Sequence, residues 1–177
     1  MVSSGLPNRE QALELLHKNK VPPQVIEHCI AVADFAMETA EELKGREVKV
    51  NVELVEAGAL LHDLGRSKCH SVDHAVVGAQ IAQSIGLPEP VIRIIKRHVG
   101  AGITAKEAKA LGWPKDTYTP QTIEEKVVCY ADKRIDKSKV IPVEVEIEKL
   151  KKDNKVEAAE RVRKLSDEIT SLLGKKP

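Results

Sequence analysis

At 177 residues the chain fits one domain with room for a substantial core. A net charge of +1 gives no electrostatic case for a nucleic-acid polymer or an anionic membrane as partner, and 2% aromatic residues leave little for a base-stacking platform. Apolar runs fall short of the ~18 residues of a membrane span. The N-terminus lacks the basic-then-apolar order of a secretion signal, and Cys29, Cys69 and Cys129 form no CxxC pair, so a cytoplasmic protein with reduced thiols is expected.

Ala, Val, Ile, Leu, Glu and Lys dominate, a helical palette, and the elements follow in order. Residues 1–7 read as a loose tail. Asn8 caps a first helix over 9–20, and Pro22-Pro23 stops it and starts the next. The helix over 23–44 carries Val25, Ile26, Cys29, Ile30, Ala33, Met37 and Ala40 at three-to-four spacing, and Gly45 ends it. Asn51 caps a helix over 52–62. Residues 65–73 read as a loop, followed by helices over 74–85 and 89–98 and a Gly100-Ala101-Gly102 turn. Thr104 caps a short helix to Leu111. Thr122 with Glu125 forms a capping box for a helix over 122–135. Charged helices near 143–153 and 155–173 close the chain. No segment of useful length alternates at strand period, so the expected class is all-α.

Six polar residues interrupt these apolar faces or close them. His28 lies among Val25, Cys29 and Val32. His62 and Asp63 follow the apolar run Ala59-Leu60-Leu61. His74 opens a helix ahead of Val77 and Ile81, His98 follows Ile94 and Ile95, and Asp132 comes four residues after Val128. A lone histidine near a helix end is ordinarily a capped or dipole-stabilised side chain. Burying an imidazole beside a carboxylate without partners costs several kcal/mol, however, and the six together would suit one metal ion or two. A histidine-plus-carboxylate shell suits Fe, Mn, Ni, Co or Zn better than Ca or Mg, and does not choose among the former.

The pattern His28…His62-Asp63…Asp132 resembles the HD-domain superfamily of metal-dependent phosphohydrolases. The segment His62-Asp63-Leu64-Gly65 is similar to its HDIG variant with Leu for Ile, and His74 and His98 match the added ligands of its two-metal members. Within the superfamily the chain is most similar to small, uncharacterised archaeal HDIG proteins. The resemblance covers roughly residues 20–140. It implies an HD-domain helical bundle with a central metal site; with the elements read above, the chain divides into an N-terminal tail and first helix over 1–20, the HD domain over 21–140, and C-terminal helices over 141–177 packed on the bundle. It further implies that His28, His62, Asp63 and Asp132 hold a first metal, and Asp63, His74 and His98 a second, with Asp63 bridging. Metal-activated water would then hydrolyse a phosphoester of a nucleotide or related small molecule. Asp63 and Arg66 are the expected catalytic residues, and Arg66 and Lys133 the expected substrate contacts, Arg66 as a bidentate phosphate clamp.

The remaining cations and thiols have ordinary readings. Lys68, Lys96, Arg97 and Arg134 flank the ligands as surface charge. His70 is an exposed loop residue, His17 lies outside the pattern, and Cys29 and Cys129 are buried inert thiols. Two other functional readings stand beside hydrolysis: a di-iron oxygenase, which uses the same donor set, and a non-catalytic module that binds or senses a nucleotide. The helices over 143–173 pack on the bundle or form a homodimer contact.

Overall fold

The computed structural model describes residues 5–176, so the part of the expected tail over 1–4 lies outside the described residues. Among the described residues the chain forms nine α-helices. They are α1 (Arg9–Lys18), α2 (Pro23–Gly45), α3 (Val52–Leu61), α4 (His74–Ser84), α5 (Glu89–Arg97), α6 (Ala105–Ala110), α7 (Ile123–Lys133), α8 (Val143–Lys152) and α9 (Val156–Leu172). The all-α expectation is met, and the boundaries agree to within three residues.

The caps explain much of that agreement, because a side-chain acceptor satisfies an amide that the first helical turn leaves unpaired. Asn8 accepts from the Gln11 amide at 2.9 Å while Gln11 reaches back to the Asn8 amide at 3.0 Å. Thr104 with Glu107, and Thr122 with Glu125, repeat that reciprocal box at α6 and α7. Asn51 caps α3 through the Leu54 amide.

The α3 helix is the centre of the bundle. Val55 and Ala57 through Leu61 are all buried, so it meets apolar neighbours on nearly every side. It packs against α1, α2, α5 and α7. The long α2 contributes a stripe of Ile26, Cys29, Val32, Ala33, Ala36, Ala40 and Leu43 at helical spacing. The α4 helix packs on α5 and on the chain just after α3, while α9 covers α7 and pairs with α8.

The structure departs from the sequence expectation in two short segments. The expected loop over 65–73 begins with a 3-10 turn, Leu64–Ser67, whose Leu64 and Gly65 are buried. After α7 the chain makes a two-stranded hairpin, β1 (Ile135–Asp136) and β2 (Lys139–Val140), antiparallel with Ile135 opposite Val140. Two-residue strands are too short to show a period, so the hairpin left no pattern to read.

Candidate metal centre

Three parallel pieces of local logic build the site. The α3, α5 and α7 helices each deliver a polar residue at the C-terminal end: His62 caps α3, His98 caps α5, and Asp132 is the penultimate residue of α7. Helix C-termini carry negative partial charge, so their convergence favours a cation. Asp63 follows His62 directly, His74 is the first residue of α4, and His28 projects from α2. His62, Asp63, His74 and His98 are buried, and the side chains of His28 and Asp132 are 18% and 12% exposed.

All six side chains meet. His28 Nε2 lies 3.0 Å from Asp132 Oδ1, and His62 Nε2 lies 3.4 Å from the same oxygen. Asp63 divides its two oxygens. Its Oδ2 is 3.5 Å from His62 Nε2, while Oδ1 is 3.0 Å from His74 Nε2 and 3.4 Å from His98 Nε2. Donor atoms of His28, His62 and Asp132 therefore form one group, and those of Asp63, His74 and His98 a second, each spanning less than 4.8 Å.

Every imidazole is oriented the same way. Nδ1 of His62, His74 and His98 donates to the carbonyl three residues earlier, of Ala59, Ser71 and Ile95, each at 2.7 Å. Nδ1 of His28 donates to the Lys137 carbonyl in the hairpin turn at 2.8 Å. A carbonyl can only accept, so Nδ1 carries the proton in all four rings and Nε2 is left as a lone pair.

Among the described residues those lone pairs face carboxylate oxygens or one another instead of donors. His62 Nε2 is buried and has no hydrogen bond among the described residues. His74 Nε2 and His98 Nε2 face each other at 3.0 Å, both against the Asp63 carboxylate. Acceptors held this close repel unless a proton or a cation lies among them. Neutral imidazoles locked by backbone carbonyls, beside ionised carboxylates, are the donor chemistry of a transition-metal site, and the residues fit such an ion.

The electrostatics agree. Burial works against charge on Asp63, but His62, His74 and His98 outweigh it and hold its carboxyl well below the usual carboxylate range. Burial likewise opposes an ionised Asp132, yet Lys133, His28 and His62 keep it well below that range. Burial, with the charges of His62 and His74, pushes the His98 imidazole down to about 4 against the pull of Asp63. Burial also disfavours a proton on His62, but Asp63 and the other acceptors around it raise it well above its ordinary value. In the metal-free chain His62 thus favours a proton, and a cation would compete with that proton for the same lone pair.

The flanking residues sort clearly. Arg66 Nε sits 3.5 Å from Asp63 Oδ1, and its Nη1 donates to the His70 carbonyl at 2.7 Å. Lys133 Nζ pairs with Asp132 Oδ2 at 2.7 Å. Both line a chamber of about 450 Å³ in front of the site. Lys96 is engaged with Asp116 and Arg97 with Glu125, and Arg134 bonds the Ile141 carbonyl and the Tyr130 hydroxyl, so these three hold structure. His17 and His70 are exposed. Cys29 is fully buried, as expected, but its sulfur lies within 4.8 Å of donor atoms of His62 and Asp63, which sequence reasoning did not anticipate. The available signal was its position beside His28 on the buried stripe of α2.

Comparison with known proteins places the arrangement. Residues 25–135 match the HD domain family model. An uncharacterised protein of Methanocaldococcus jannaschii is 43% identical over 166 residues, covering 93% of this chain and 98% of that protein. The tRNA (cytidine(56)-2'-O)-methyltransferase of Picrophilus torridus is 37% identical over 170 residues, 96% of this chain but only 48% of the enzyme, so this chain spans about half of that relative. The HD domain of the L. monocytogenes phosphodiesterase PgpH, solved in complex with cyclic-di-AMP, has the same fold, with a TM-score of 0.57 at 20% identity over 91% of this chain and 96% of that one. No helix among the described residues is long and apolar enough to cross a membrane. The family match runs from α2 to the first strand and takes in every one of the six converging residues, and on that ground the chain belongs to the HD domain family of metal-dependent phosphohydrolases.

Proposed function

We propose that the protein hydrolyses a phosphoester of a nucleotide or related small molecule, using one or two divalent transition-metal ions. The observation that carries this reading is a pair of adjacent donor groups joined through Asp63, whose Oδ1 faces His74 and His98 and whose Oδ2 faces His62 of the other group. In this reading His28, His62, Asp63 and Asp132 hold one ion, and Asp63, His74 and His98 hold the other. Residues 21–140 form the HD domain. The PgpH domain's binding of cyclic-di-AMP supports a nucleotide as the ligand class.

A divalent ion held by such donors lowers the pKa of its bound water toward neutrality and polarises a phosphoryl oxygen. The chain's own residues supply the rest. The backbone carbonyls fix the four rings so that their lone pairs need no rearrangement on loading. Asp63 and Asp132 stay ionised and offset the positive charge. Arg66 Nη2 is unengaged among the described residues, and from the chamber wall it clamps a phosphate oxygen. Lys133, kept charged by Asp132 against the effect of burial, adds a second cation on the same wall.

The test is metal content by elemental analysis on protein purified without chelator and then reconstituted, followed by a phosphoester screen with the metal found. The expected outcome is near two equivalents of a transition metal and turnover of a nucleotide. Asp63→Ala should abolish that turnover and most of the bound metal while circular dichroism stays helical. Full metal content and full activity in that variant would overturn the bridging role. Iron together with O₂ uptake and no phosphoester turnover would favour an oxygenase instead.

A further inference from the structure

A second chamber of about 820 Å³ adjoins the metal-side chamber, and the two share Arg66, His74, Val99, Lys133 and Glu146 in their walls. Its size falls in the range of about 300–1,000 Å³ that holds small organic ligands. One wall comes from a 3-10 turn, Val99–Ala101, that follows α5, and from α6; the facing wall comes from Leu150 on α8, the α8–α9 turn and the first turns of α9. That facing wall lies outside residues 25–135, the stretch shared with the family.

We propose that this chamber is a nucleoside subsite, and that the α8–α9 arm decides which organic group the enzyme accepts. The inference rests on the phosphohydrolase reading for the placement of the scissile phosphate at the metal side. Three features select the ligand class. The walls carry aliphatic side chains such as Val72, Val99, Ile103 and Leu150, and no Phe, Tyr or Trp lines the chamber among the described residues. A flat ring would therefore be sandwiched by aliphatic groups instead of stacked on an aromatic one. The chamber also holds a fixed polar pair. Arg161 Nη2 donates to Glu107 Oε1 at 3.0 Å, and Glu107 Oε2 accepts the Thr104 amide at 2.7 Å. Arg161 Nε is buried without a hydrogen-bond partner among the described residues, so this nitrogen is already desolvated and unsatisfied. An acyl chain would leave that pair unmatched. A nucleoside, with apolar ring faces and a polar edge and sugar, matches both the walls and the pair.

The test uses two variants on opposite walls. Ala110→Trp places a bulky ring into the chamber from an exposed position on α6, and Arg161→Met removes the guanidinium from α9. Metal-reconstituted full-length protein is titrated calorimetrically with AMP, GMP, CMP and UMP. In parallel, kcat/KM is measured for the best nucleotide substrate and for p-nitrophenyl phosphate, with melting curves to show that each variant is folded. Both variants should weaken nucleotide binding by about tenfold or more, and should lower the ratio of kcat/KM for the nucleotide over the small ester by a similar factor. The subsite is overturned if no nucleotide binds the unaltered protein, if binding is unchanged in both folded variants, or if the two substrates lose activity in parallel. A protein that hydrolyses neither substrate refutes the phosphohydrolase reading separately, and the titration alone then decides the subsite.

Discussion

Each of the four converging histidines hands its Nδ1 proton to a backbone carbonyl, which turns a titratable ring into a fixed donor of one lone pair. The carbonyl belongs to the ring's own helix end or turn in three cases and to the hairpin in the fourth, so the orientation is built into the chain path. His74 faces only the Asp63 and His98 side of the cluster. His74→Ala should accordingly release one of two metal equivalents and keep the other, as read by elemental analysis; loss of both, or of neither, would refute the division into two groups. His98 gives a pH dependence with a definite sign. Its folded-state value of about 4 lies below the ordinary 6.5, so between those values the unfolded chain binds the extra proton. The stabilising contribution is present above pH 6.5 and is lost as the pH falls toward 4, by ~3 kcal/mol in all. Asp63 and Asp132, both held low, act in the same direction at still lower pH. The raised value of His62 acts above 6.5 and does not cancel this slope. Denaturant midpoints of the metal-free protein should fall as the pH drops from 6.5 to 4.5, and His98→Gln should flatten that trend.

At the scale of elements, the site depends on how closely the turn after α3 approaches α4. A Cβ built on Gly65 would lie 1.9 Å from the His74 carbonyl oxygen and 2.6 Å from the Gly78 amide nitrogen. Both obstacles are backbone, so no side chain can move aside. Gly78 is constrained from the other side, less tightly, with the Gly65 nitrogen 2.9 Å from its own would-be Cβ. The glycine two residues after Asp63 is therefore a packing requirement that brings His74 within reach of Asp63. Gly65→Ala should destabilise the protein by ~3 kcal/mol and lower its melting temperature by roughly 10 °C, with second-site metal lost first, because the added methyl must push α4 and His74 away. A variant that melts with the unaltered protein and keeps both metals would contradict this.

Across the whole molecule, burial separates groups that look alike in composition. Cys29 and Cys129 are fully buried, and Cys129 bonds the His98 carbonyl at 3.1 Å. Burial pushes the Cys129 thiol up to about 12 and moves Cys29 in the same direction. Cys69, in the turn before α4, is partly exposed. A thiol reagent should thus label Cys69 alone in the native protein at pH 8 and all three after unfolding, since only the thiolate attacks. Labelling of Cys29 on removal of metal would show that the cluster loosens without its ion. The C-terminal helices also gain their meaning only at this scale: α9 packs on α7, and the α8–α9 turn closes a chamber that begins at the metal donors.

The sequence by itself determined the helices, their order and the six converging residues, because each signal is local. A cap and its box lie within four residues, an apolar stripe repeats within one helix, and a histidine at an apolar position is conspicuous without any partner. The His62-Asp63-Leu64-Gly65 spacing also marked the turn, although not the reason for its glycine. What the tertiary structure alone decided were relations between distant segments. The closeness of Gly65 to Gly78, the Lys137 carbonyl that orients His28, the approach of Cys29 to His62 and the chamber between α6 and the α8–α9 arm all join residues far apart in the chain. Periodicity and capping carry no information on such pairings, since the free energy that fixes them comes from packing whole helix faces together.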